Sequence, residues 1–168
     1  MYLIPRHPIV DTGPLFDFLL WRFSVSFRAP TLLSKLRYLK ESFYKDSVQW
    51  YFTAAKPITT PPEVIAEIHG HAEKLLDRSL LGNFWRFAKE QLAELGLSEK
   101  LVELVQMDGD ILSSFGPTDT ALLHIARLSP NQPVFAEDGK LVGECRKKEL
   151  SVLRIAEVQG IWQQYVGK

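Results

Sequence analysis

Ile9-Val10-Asp11-Thr12-Gly13-Pro14-Leu15 is the stretch around which the chain is organised. An apolar run that ends on a carboxylate and breaks at Gly-Pro is the pattern of a buried strand delivering Asp11 to a loop, with a helix after it. A second run of this kind, Pro133-Val134-Phe135-Ala136, ends at Glu137-Asp138-Gly139. If the two strands are parallel and adjacent, Asp11 and Asp138 share one edge of a sheet. Further short strands are expected at 58–59 and 152–155, with helical stretches between. That alternation predicts an α/β fold whose parallel sheet is covered on both faces and whose functional residues sit at the carboxyl ends of the strands.

Working outward, residues 14–22 form a short helix rich enough in aromatics (Phe16, Phe18, Trp21) to demand burial or a partner. Residues 23–30 are expected to be irregular. Residues 31–55 look like one longer helix, with Leu32, Leu36, Leu39 and Phe43 on one face and Lys35, Arg37, Lys40 and Lys45 on the other. Thr60-Pro61-Pro62-Glu63 starts a helix capped by threonine that runs past Glu67 to about Leu76. Helices are expected at 83–95, ending at Gly96, at 110–115 and again from Gly116-Pro117-Thr118-Asp119 onward. Residues 101–107 read equally as strand or helix. The last helices fall at 141–149 and 161–166. No linker or repeat divides the chain, so residues 1–168 are expected to form one domain with an extended helical region at about 23–57.

Composition limits the functional classes. At 168 residues, 46% hydrophobic and 24% charged, the chain is long enough for a real core. Twenty basic and twenty acidic residues leave no global field to draw it onto nucleic acid, so any such binding falls to local clusters. Two are present: Arg37, Lys40 and Lys45, and Arg146, Lys147 and Lys148. The single Cys145 makes no intrachain disulfide and no metal motif, which suits a reducing compartment. No apolar run is long enough to span a bilayer. A cytoplasmic protein without membrane contact is expected.

Asp119 precedes Leu122, Leu123 and Ala126 by three, four and seven residues and so lies on the inward stripe of its helix. Glu67 lies at the border of its helix's apolar face, set by Ile65, Ile68, Ala72 and Leu75. Carboxylates gathered in a half-buried cleft repel one another and bind protons more tightly unless a cation joins them. Oxygen-only ligation points to Mg²⁺ or Mn²⁺, ions that hold phosphates and activate water for in-line displacement. Singly, each residue has a plainer role: Asp11 and Asp119 beside helix starts, Asp138 in a turn, Glu67 solvated beside Glu63.

Taken together, Val-Asp-Thr-Gly-Pro-Leu at the N-terminus, Pro-Pro-Glu-Val-Ile-Ala-Glu-Ile, Gly-Pro-Thr-Asp-Thr-Ala-Leu-Leu-His-Ile-Ala and Val-Phe-Ala-Glu-Asp-Gly-Lys-Leu resemble the four acidic motifs of the PIN-domain ribonuclease family, in order along nearly the whole chain. The nineteen-residue step from Asp119 to Asp138 matches that layout. The resemblance implies a three-layer α/β/α fold with a mostly parallel, short-stranded sheet. It also implies Mg²⁺- or Mn²⁺-dependent endonuclease chemistry on RNA carried by Asp11, Glu67, Asp119 and Asp138. Thr12 would orient the first aspartate through a hydroxyl hydrogen bond to its carboxylate. Ala136 stands where the family often has threonine, leaving Glu137 to assist. Residues 23–57 are longer than the same region of the small toxin members, whose activity an antitoxin protein inhibits.

Competing readings fare worse. Asp-Thr-Gly is also the aspartic-protease triplet, but that fold is nearly all β. A haloacid-dehalogenase phosphatase wants a second aspartate where Gly13 stands. His69 and His71, two apart on a helix, diverge too far for zinc. The non-enzyme alternative is a catalytically silent PIN-like module that binds RNA or a protein partner. The aromatic stretch from Phe16 to Phe27, hard to bury in one small core, suggests a homodimer face.

Overall fold

The computed structural model describes residues 4–166. Five two-residue strands, β1 (Ile9–Val10), β2 (Thr59–Thr60), β3 (Ser98–Glu99), β4 (Val134–Phe135) and β5 (Val152–Leu153), form one all-parallel sheet in the order β3-β2-β1-β4-β5. Helices flank it, giving the expected three-layer α/β/α arrangement. Ile9 pairs with Thr59 on one side and Val134 on the other, so β1 is central. Steps from β1 to β2 to β3 run one way across the sheet and the step from β4 to β5 runs the other. Right-handed crossovers then place the two sets of connections on opposite faces.

Helix α1 (Thr12–Ser26) begins directly on the strand-end aspartate: Asp11 is its cap and Pro14 sits in the first turn, where no backbone donor is needed. The helix continues to Ser26 through residues expected to be irregular. Phe16, Phe18 and Phe23 are buried, with Phe18 edge-on to Phe52 at 4.9 Å and Phe23 edge-on to Phe84 at 5.5 Å. Much of the aromatic run thus packs into this chain's own core, while Trp21 is partly buried and Val25 and Phe27 at the helix end stay exposed.

The expected single helix over 31–55 is two pieces, a 3-10 segment at Pro30–Lys35 and α2 (Ser42–Ala55). The break has a cause in α1. Asp17, 1% exposed, accepts the backbone N–H groups of Arg37 (2.9 Å), Tyr38 (2.6 Å) and Leu39 (2.9 Å), which holds these residues out of a helix. Tyr51 and Phe52 of α2 pack edge-on against Phe135 of β4, each at 5.5 Å.

The remaining helices are α3 (Pro62–Leu75), α4 (Arg78–Glu94), α5 (Gly109–Phe115), α6 (Pro117–Leu128), α7 (Gly139–Lys147) and α8 (Ile155–Val166). Within 101–107 only Leu104–Gln106 is regular, as a 3-10 turn. The cap of α3 is Pro61 rather than Thr60, because Thr60 is taken by β2. Among the described residues no helix is long and apolar enough to cross a membrane.

Candidate active site

In a doubly wound sheet the crevice opens where successive connections leave in opposite directions, outside the carboxyl ends of the strands. Here that point lies between β1 and β4, and the chain leaves them at Asp11 and Asp138. Each aspartate caps the helix that follows. Asp11 Oδ1 accepts the Thr12 N–H at 2.7 Å, and Asp138 Oδ1 accepts those of Lys140 and Leu141, both at 2.9 Å. One oxygen of each carboxylate is thus spent on the fold, leaving the other for a ligand.

Asp119 enters from the first turn of α6. Gly116, at φ +85°, caps that helix in a conformation that favours glycine, and Pro117 follows at the first helical position. The turn leaves Thr118 buried and Asp119 half-buried. Thr118 does not cap the helix. Its hydroxyl donates to Glu67 Oε1 at 2.5 Å, while the Thr12 hydroxyl donates to Glu67 Oε2 at 2.7 Å. Glu67, at the exposed border of α3, is thereby clamped between the starts of α1 and α6. The Thr12 hydroxyl serves Glu67, and only its backbone N–H serves Asp11.

The four carboxylates sense one another. Burial pushes the Asp11 carboxyl from 3.8 up to about 7; the Thr12 N–H opposes the rise, and the charges of Asp119, Glu67 and Asp138 add to it. Burial likewise raises Asp119 to about 6, with Asp138 and Glu67 adding and Lys140 opposing. Lys140 is the local counter-charge that sequence reading missed. Its ammonium donates to the Ser114 carbonyl and lies 4.7 Å from the centre of the Phe115 ring, which keeps it near Asp119.

The other expected residues are placed elsewhere. Glu137 accepts the Ile155 N–H at 2.5 Å and pairs with Arg154 at 3.2 Å, so its carboxylate is committed to the β5–α8 junction. Arg146 pairs with Glu157, and Lys147 and Lys148 pair with Glu144, at the opposite end of α7 from Asp138. In the other basic cluster, Lys45 donates to the Lys40 carbonyl and Arg37 lies 5.4 Å from the centre of the Tyr38 ring. His71 packs against Phe16 and His69 pairs with Glu73, while Cys145 is buried with its thiol pushed by burial up to about 12.

Among the described residues no three acidic, histidine or cysteine side chains stand close enough to ligate one ion together. Mg²⁺ typically takes one or two carboxylates, keeps several waters and adds substrate phosphate oxygens. An oxygen-only donor set in which buried Asp11 and half-buried Asp119 are held above the usual carboxylate range fits such an ion by its chemistry.

The fold defines the chain as a doubly wound α/β protein with an acidic cluster at its switch point. No family model, no curated protein and no solved structure matches it.

Proposed function

We propose that the protein is a Mg²⁺- or Mn²⁺-dependent endoribonuclease of the cytoplasm, hydrolysing RNA phosphodiester bonds at Asp11, Glu67, Asp119 and Asp138, as the likeness to PIN-domain ribonucleases suggests. The observation that carries this reading is the placement of Asp11 and Asp138 on adjacent strand ends, with Asp119 close enough to raise the affinity of Asp11 for its proton. Without a cation, buried Asp11 and half-buried Asp119 sit among like charges that raise both their pKa values; a divalent cation would remove that conflict.

Asp11 and Asp119 would hold the metal directly, with waters and substrate phosphate oxygens as its other ligands and Asp138 adding negative charge nearby; the metal would supply a charge for the phosphate oxygens and a more acidic water. Glu67, fixed by two threonine hydroxyls, orients what enters between α3 and α6. Binding a cation requires Asp11 and Asp119 to give up protons, so metal affinity rises with pH through about 6 to 7. The test is cleavage of a mixed-sequence RNA with Mn²⁺, with chelator, and with Asp119→Asn. Cutting that survives chelator or the substitution sinks the proposal.

One observation favours the second reading, a catalytically silent module that binds RNA or a protein partner. Glu67 already has both oxygens occupied by hydroxyl donors, which leaves it without an oxygen spare for an ion. A melting temperature indifferent to millimolar Mn²⁺ selects this reading.

A further inference from the structure

Next to Asp11, on the other side of Gly13, lies a cleft of about 220 Å³. Its walls include Lys35, Arg37 and Tyr38 from the segment between α1 and α2, Phe16 from α1, and His71 and Lys74 from α3. Small-molecule pockets usually run ~300–1,000 Å³. This one suits a fragment of a longer ligand.

Its charge is one-sided. Lys35, Arg37 and Lys74 are exposed cations, whereas the acidic residue in the wall, Asp17, is 1% exposed and turned onto three backbone N–H groups. The ligand's complementary charge is negative. Apart from Leu75, the large uncharged side chains of the walls are aromatic: the Tyr38 ring packs so closely on Gly13 that a Cβ there would stand 2.7 Å from Cε2, and the Phe16 and His71 rings lie 5.5 Å apart at 33°. Repeating negative charge along a chain with flat aromatic-sized groups between describes a single-stranded nucleic acid, whose unstacked bases lie on aromatic rings while cations track its backbone.

The wall is also built to keep its shape. The three Asp17 bonds fix the backbone of Arg37, Tyr38 and Leu39, so the cation and the ring are presented without the ordering cost of a loose loop. The cleft adjoins the carboxylates through Gly13, within reach of one chain lying across both.

We propose that this cleft is a subsite for a nucleotide of single-stranded RNA flanking the phosphodiester at the carboxylates, with Lys35, Arg37 and Lys74 on the backbone and the Tyr38 or His71 ring, the latter backed by buried Phe16, against the base. It rests on the ribonuclease reading for its substrate, yet is tested without cleavage. Asp119→Asn protein in chelator is titrated with a labelled mixed-sequence single-stranded RNA and read by fluorescence anisotropy. Adding Lys35→Ala, Arg37→Ala and Lys74→Ala weakens binding at least tenfold and flattens the slope of log affinity against log salt by about 2, since each single-strand phosphate contact contributes about 0.7. Adding Arg6→Ala and Lys56→Ala, exposed residues ahead of β1 and β2 at the opposite edge of the sheet, changes neither.

In the chain without the cleft substitutions, the Arg37, Tyr38 and Leu39 amide resonances move on RNA addition. An unchanged salt slope in the triple variant, no RNA binding, resonances that move only elsewhere, or equal competition by an acidic peptide overturns the subsite. Cleft-dependent binding without metal-dependent cleavage by the unsubstituted chain keeps the subsite and sinks the nuclease. Metal-dependent cleavage with an unchanged slope does the reverse.

Discussion

Asp11 and Asp17 are both buried, lie six residues apart at the same end of α1, and have opposite surroundings. Asp17 receives three backbone N–H groups, the full set of donors that makes a buried carboxylate stable, and uses them to hold a loop. Asp11 receives one, from Thr12, and faces three further acidic residues. A buried carboxylate with its donors in place is a staple. One short of donors among like charges holds its proton more tightly than a free carboxyl.

The largest effect that would break this contrast is on Asp17. Asp17→Ala strands three N–H groups, costing about 3 kcal/mol and lowering the melting temperature by about 10 °C with or without metal. A loss under about 3 °C would show that the loop stands without it.

Asp11 carries the opposite expectation. Its folded carboxyl titrates near 7 against 3.8 for the free group, so the folded state keeps the proton longer and ionisation works against folding. The Asp11 contribution to metal-free stability is therefore fully present below about pH 4 and is lost as pH rises through about 7. Asp11→Asn, which still caps α1, raises the metal-free melting temperature by about 5 °C at pH 8 and by nothing at pH 4. A drop at pH 8 would make Asp11 a structural residue like Asp17.

Smaller effects sharpen the roles of the clamp and the cap. Thr118→Val frees one oxygen of Glu67, lowers the melting temperature by about 3 °C, and lowers cleavage about tenfold to a hundredfold, as loss of a supporting hydrogen bond at a metal site does. Cleavage at the unsubstituted rate would remove Glu67 from the site. Asp138→Ala costs about 1 kcal/mol through the lost α7 cap, while Asp138→Asn, an equally good cap, leaves metal-free stability unchanged or higher. Thermal melts of the two side by side separate cap from charge.

The sheet centre and its acidic ends were legible because β1 and β4 are fully buried: an apolar run stopped by Asp11, and another followed by Asp138, need no long-range information. β3 was not legible, since Ser98 and Glu99 are both exposed and carry no apolar signal. The break at 36–41 escaped periodicity because Asp17, twenty residues earlier, makes it. Glu67 stayed ambiguous for the same kind of reason: its position is set by hydroxyls 55 and 51 residues away, and Thr118 carried the ordinary look of a helix cap. A threonine directly before Asp119, with Gly116 already able to start the helix, was the available clue.

The central claim is that the carboxylates at the switch point bind a cation through Asp11 and Asp119, and calorimetric titration of Mn²⁺ into the metal-free protein at pH 8 tests it most directly. The account predicts saturable binding that weakens at pH 6, releases protons, and is lost in Asp119→Asn. No binding heat at pH 8, or the same isotherm in Asp119→Asn, would contradict it.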